Sequence, residues 1–254
     1  MPLNDKPSRD AVYWAQHVST LKVTRVPTGA LDLNVEGRRV VGPLQGFGQM
    51  WQKFYWTVLK GSAVTPAEVI QVWKEHFPQF WPKASHFYPS LSGVAPGEVA
   101  LINSPIPGGI PVPVSTGVFV LYADDTSFTF MTPQGHPIAG WITFSAYEEE
   151  GDTIAQIHIL MRANDPIYEA GLFLTGSRGE DGLWRHTLTS LATYFGVKAP
   201  VQMQKSCIDP RLQWSEARNV WQNAGVRTVL YEMLTPVRWV LKRIRGEAST
   251  KGTT

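Results

Sequence analysis

Residues 132–161 read TPQGHPIAGWITFSAYEEEGDTIAQIHILM. In the first half Ile138, Ile142 and Phe144 alternate with Trp141, Thr143 and Ser145. Beyond the acidic turn EEEGD, Ile157, Ile159 and Met161 alternate with Gln156, His158 and Leu160. Successive side chains of a strand point to opposite faces, so each run offers one apolar face to a core. Two such runs joined by a charged, glycine-containing turn predict an antiparallel hairpin.

The same period extends upstream. GVFVLY (117–122) and SFTFM (127–131) flank a turn built from Asp124 and Asp125, which predicts another hairpin. EVALIN (98–103) reads as a strand, whereas SPIPGGIPVP (104–113) is a proline-rich excursion that cannot be a central strand. FYWTVLK (54–60) is aromatic and β-branched, and reads as the first strand. Thr65-Pro66-Ala67-Glu68 combines a threonine cap, proline at the first helical position and glutamate three residues after the cap. Val69, Ile70, Trp73 and Phe77 follow at helical spacing, and Pro78 and Pro82 end that helix. Downstream, Asp165-Pro166 reads as a turn after the long strand. Asp181-Gly182 opens a helix with Trp184, Leu188, Leu191 and Phe195 on one face and Gly196 as its stop. The order predicts an α+β fold, a curved antiparallel sheet covered by helices.

That order resembles the helix-grip fold of the START, birch-pollen-allergen and polyketide-cyclase superfamily (SRPBCC), over residues 50–197. TPQGHPIAGWITF with the following hairpin also looks like a bacterial family of unknown function in that group, which carries a similar Gly-His turn. The sequence departs from it at Ala139, Gly140 and Trp141, where acidic residues are expected. The resemblance implies a curved sheet wrapped around a long closing helix, with an apolar cavity between them that holds lipids, hormones or polyketides. Residues 1–49 are then an N-terminal arm, 50–197 the ligand-binding domain and 198–254 a C-terminal helical extension. In the extension, 212–234 reads as a helix capped by Ser215. Thr235-Pro236 starts a last helix, with Val237, Val240, Leu241 and Ile244 as an apolar stripe.

Composition narrows the function. In 254 residues, 43% hydrophobic and 17% charged content belongs to a globular chain, and ten tryptophans suggest a wide core or a ring-lined cavity. A net charge of +2 lacks the basic footprint of nucleic-acid binding. The single cysteine, Cys207, excludes an internal disulfide and a cysteine metal site, and the histidines show no metal-ligand spacing. No cofactor or metal is therefore expected. The N-terminus MPLNDKPSRD lacks an apolar signal core, which gives a cytoplasmic expectation.

The expected function is binding of a small hydrophobic or amphipathic ligand, lipid- or polyketide-like, in the internal cavity. Its expected lining is Trp141, Phe144, Phe128, Phe130, Arg162, Tyr122, Trp184 and Leu188. One alternative is a polyketide cyclase or hydrolase using that cavity, with His136 or His158 as acid or base. Alternation nevertheless turns His158 outward, and the Gly135–Pro137 context makes His136 a turn residue first. The other alternative is a membrane- or partner-binding protein acting through Arg238, Trp239, Lys242, Arg243 and Arg245, with a homodimer formed through the C-terminal helices.

Overall fold

The computed structural model describes residues 9–106, 110–175 and 178–244. The side chains of 9, 10, 106, 110–113, 175 and 236–244 lie outside that description. The chain begins with a short 3-10 turn, followed by strands β1 (Val40–Val41) and β2 (Met50–Val58) and helix α1 (Pro66–His76). Strands β3 (His86–Tyr88), β4 (Val99–Ile106), β5 (Ile110–Ala123), β6 (Ser127–Pro133), β7 (Ile138–Glu149) and β8 (Asp152–Ala163) come next. Helices α2 (Pro166–Thr175) and α3 (Arg178–Tyr194), strand β9 (Gln202–Asp209), a 3-10 segment (Trp214–Gln222) and helix α4 (Ala224–Ile244) complete it.

The strands form one antiparallel sheet in the order β3-β4-β5-β6-β7-β8-β2-β9, with β1 pairing with β6. The β7–β8 hairpin runs in unbroken register from Ile138 opposite Ala163 to Glu149 opposite Asp152. Its turn uses Glu150 and Gly151 at φ 53° and 82°, the left-handed pair that matches strand twist in a two-residue hairpin. At the β5–β6 turn, Asp124 Oδ1 accepts the Thr126 and Ser127 amides at 2.7 and 2.6 Å.

Helices α1 and α3 cover the inner face. The capping box of α1 is made: Glu68 N–H donates to Thr65 Oγ1 and Thr65 N–H donates to Glu68 Oε2. Val69, Ile70 and Trp73 are buried beneath α1, and Trp184, Leu188 and Leu191 beneath α3. Gly196, at φ 74°, ends α3, with Val197 N–H donating back to Ala192 O.

Four features differ from the expected organisation. Strands β4 and β5 extend into the proline-rich stretch, with Pro105 opposite Pro113. The pairing of β3 with β4 spans only Leu101–Asn103 and that of β6 with β5 starts at Phe119, so those prolines lie beyond the strand pairing on either side, where a missing N–H is tolerated. Asp165 opens α2 rather than a bare turn, its Oδ1 accepting the Ile167 and Tyr168 amides. The segment after 197 is not only helical, because β9 pairs with β2 and extends the sheet. A 3-10 segment replaces the helix capped by Ser215, and α4 runs unbroken through Thr235-Pro236. Asn223 caps α4 by accepting Val226 N–H at 2.9 Å, and the Thr235 hydroxyl donates to Tyr231 O instead of starting a new helix. The N-terminal arm packs Leu21, Ala30 and Val35 onto Leu101 and Phe119, a second small core.

Candidate functional site

Between the sheet and α1/α3, aromatic rings pack on one another. Phe128 and Phe144 stack at 4.7 Å, and Phe130 meets Phe144 at 5.5 Å. Trp73 meets Phe144 edge-on at 5.2 Å, Trp184 lies 5.9 Å from the same ring, and Trp81 sits 6.3 Å from Trp184. Such edge-on and offset contacts suit the ring quadrupoles. The indole N–H groups of Trp73, Trp81 and Trp184 are all buried with no acceptor among the described residues. A buried donor left unpaired costs about 1–3 kcal/mol.

A polar cluster forms one wall of this interior. Lys53 and Tyr55 face inward from β2, and both side chains are buried. Lys53 Nζ donates to Glu180 Oε2 at 2.7 Å and to Asp181 Oδ1 at 3.4 Å; Tyr55 donates to Asp181 Oδ1 at 2.6 Å. Glu180 Oε1 is buried with no donor among the described residues. Burial, then the Glu180 and Asp181 charges, push the Tyr55 phenol well above its ordinary range, so it stays a neutral donor. Asp181 and Glu180 precede Trp184 by three and four positions on α3, which places all three along one helical stripe.

The structure divides the residues expected to line the cavity. Phe128, Phe130, Phe144, Trp184 and Leu188 share the aromatic interior with Trp73, Phe77 and Trp81. Trp141 lies elsewhere, near Met131 and Gly42 of the N-terminal arm. Tyr122 packs on Trp14 at 4.7 Å and donates to Asp124 Oδ2. Arg162 is buried in a structural role, donating to Gly48 O, Arg211 O and Asp209 Oδ2. Arg238, Trp239, Lys242 and Arg243 lie on the part of α4 whose side chains are outside the described residues, and Arg245 is beyond it.

Neither histidine joins the interior. His136 Nδ1 accepts Ile138 N–H at 3.1 Å at the entrance to β7. Burial pushes its pKa down to about 4, with the Ile138 carbonyl pulling partly the other way, so it is neutral near pH 7. His158 stacks on Phe54 at 4.3 Å on the opposite sheet face and meets Gln52 at 3.0 Å, its pKa lowered by partial burial. Sequence reasoning missed Lys53 and Tyr55. Their signal was present: in MWQKFYWTV, Lys53, Tyr55 and Thr57 share the face that alternation turns inward.

A cleft of about 550 Å³ opens where β2 ends and α3 stops. Val58, Phe195 and Val197 form its apolar side, and Lys60 and Lys198 its basic rim. Phe195 and Val197 also pack against the aromatic core, so this wall separates the cleft from the interior. A second cleft of about 400 Å³ lies between the N-terminal arm and β5, away from both.

A nine-stranded antiparallel sheet holding α3 against its inner face completes the geometry. The fold is the helix-grip fold. No family model and no curated protein matches the chain. Solved structures to which it is similar include the di-domain ARO/CYC StfQ from the steffimycin biosynthetic pathway. That likeness has 9% identity and a TM-score of 0.44, and covers 58% of this chain and 51% of that one. A START superfamily protein from Mycobacterium smegmatis matches with 18% identity over 59% of this chain and 98% of that one, at a TM-score of 0.41. Ara h 8.0201 matches with 13% identity over 57% and 97%, at 0.37.

Proposed function

We propose that this helix-grip chain binds a small amphipathic molecule bearing hydrogen-bond acceptor oxygens, of lipid or polyketide type, between the sheet and helices α1 and α3. The observation that carries the reading is the trio of buried indole donors, Trp73, Trp81 and Trp184, set in an otherwise apolar ring cluster. A ligand carbonyl, carboxyl or hydroxyl would satisfy donors that the described residues leave unpaired, while its carbon skeleton replaces ring–ring contact. Burial of that skeleton supplies the affinity, at about 25 cal/mol per Å² before ordering costs, and the indoles supply the orientation.

The cleft at the end of β2 is the proposed entry. Its apolar wall of Phe195 and Val197 also borders the interior, and the ammonium groups of Lys60 and Lys198 suit the polar end of an incoming acid. Entry then means displacing side chains at the C-terminal end of α3.

Native mass spectrometry of protein purified from its own host, compared with a denatured sample, tests this directly. A stoichiometric small molecule of apolar or amphipathic character supports the reading and gives its mass. A protein that carries nothing and gains no thermal stability from fatty acids or polyketide-like phenols overturns it.

A further inference from the structure

Helix α4 is amphipathic in the reverse of the usual sense. Its buried face is small and polar: Ala224 and Thr228 are buried, and Thr228 Oγ1 accepts Asn34 Nδ2 at 3.0 Å and Ser115 N–H at 3.3 Å. The opposite face is apolar and exposed. Val226, Leu230 and Met233 follow one another at spacings of four and three, so they share a stripe, with 41%, 52% and 70% of their surface open. Leu234, beside them, is 51% exposed. By residues 233–235 the helix has left the domain, with Met233, Leu234 and Thr235 all exposed. The helix continues to Ile244, and its sequence beyond Met233 keeps apolar residues at Val237, Val240, Leu241 and Ile244.

A stripe that turns from its own domain needs an occupant, and charge selects one. The 21 residues of α4 carry four basic residues, Arg227, Arg238, Lys242 and Arg243, against a single acid, Glu232. The last twelve positions hold three of those basic residues and no acid. A second copy of α4 would therefore bring cation to cation. An anionic lipid surface is complementary instead: the stripe enters the interface while the basic residues of the helix meet phosphate. No described helix is long and apolar enough to cross a bilayer, so the geometry fits a helix lying in the plane of the surface.

We propose that the exposed face of α4 docks the protein on anionic bilayers. The test uses the full chain with vesicles of phosphatidylcholine alone and of phosphatidylcholine and phosphatidylglycerol in equal parts. Cosedimentation is followed against salt, and the oligomeric state by light scattering. The expected result is binding to the anionic vesicles that weakens with salt. Met233→Glu or Leu230→Glu abolishes it without changing the thermal midpoint, because both side chains are already exposed. Neutralising Arg238 or Arg243 with glutamine weakens it about fivefold each. Equal binding to neutral vesicles overturns the proposal. So does absence of binding, whether the chain is monomeric or forms a dimer that Leu230→Glu dissociates; the dimer result would make the stripe a helix–helix interface.

Discussion

Lys53 Nζ lies 2.7 Å from Glu180 Oε2, and through that bond the middle of β2 holds the first turn of α3. The second carboxylate, Asp181, shares both Lys53 and the Tyr55 hydroxyl. This cluster anchors the N-terminal end of the closing helix, while the proposed entry lies at its other end.

Lys53→Met removes the cation and leaves two largely buried carboxylates without it, one of them still bonded by the Tyr55 hydroxyl. Breaking a buried pair from one side costs about 3–5 kcal/mol, because the remaining charge is uncompensated. Urea denaturation is expected to show a loss of that order. Lys53→Met combined with Glu180→Gln is expected to recover part of it, and a double-mutant cycle gives the coupling directly.

His136 makes stability depend on acid. Its folded pKa is pushed down to about 4 from an ordinary 6.5. Between those values the unfolded chain binds the extra proton, so stability rises with pH there. Its contribution is present above about pH 6.5 and is lost as pH falls toward 4. Unfolding free energies measured across that window are expected to fall less steeply for His136→Asn than for the parent.

Arg162 joins the end of β8 to the Asp209–Arg211 corner that follows β9, donating to Asp209 Oδ2 at 2.7 Å and to Arg211 O at 2.8 Å. Arg162→Met leaves the Gly48 and Arg211 carbonyls without this donor. Amide exchange in β9 is expected to accelerate at least tenfold, with β7 and the inner strands much less affected. Equal acceleration throughout the sheet would show that the arginine supports the whole fold rather than this corner.

The hairpins were legible because their alternation was clean: every residue of 138–149 found its partner across β8. So were the threonine capping box of α1 and the Gly196 stop of α3, which are local signals within a few residues. Strand β9 was not. QMQKSCID has no apolar face because it sits at the sheet edge, mostly exposed, and among the described strands it pairs with β2 alone. The Lys53–Glu180 pair joins residues 127 apart, and no window along the chain could register it. Arg162 ends an apolar strand, which suits a cavity ligand equally well; only the position of Asp209 and Gly48 distinguishes a structural arginine from a binding one. Five of the eight residues expected in the lining therefore share the aromatic interior, because ring content is visible in sequence while the face of a flanking residue is not.

The indole N–H resonances give the most direct measurement. In a ¹⁵N–¹H correlation spectrum, assigned with single Trp→Phe variants, decanoic acid is titrated into the protein. Binding between the sheet and helices α1 and α3 is expected to shift the Trp73, Trp81 and Trp184 signals downfield and saturably, while exposed Trp214 and Trp221 stay in place. Movement of Trp214 and Trp221 alone, or three interior signals unchanged by decanoic acid and by a polyketide-like phenol at saturation, would contradict an interior ligand site.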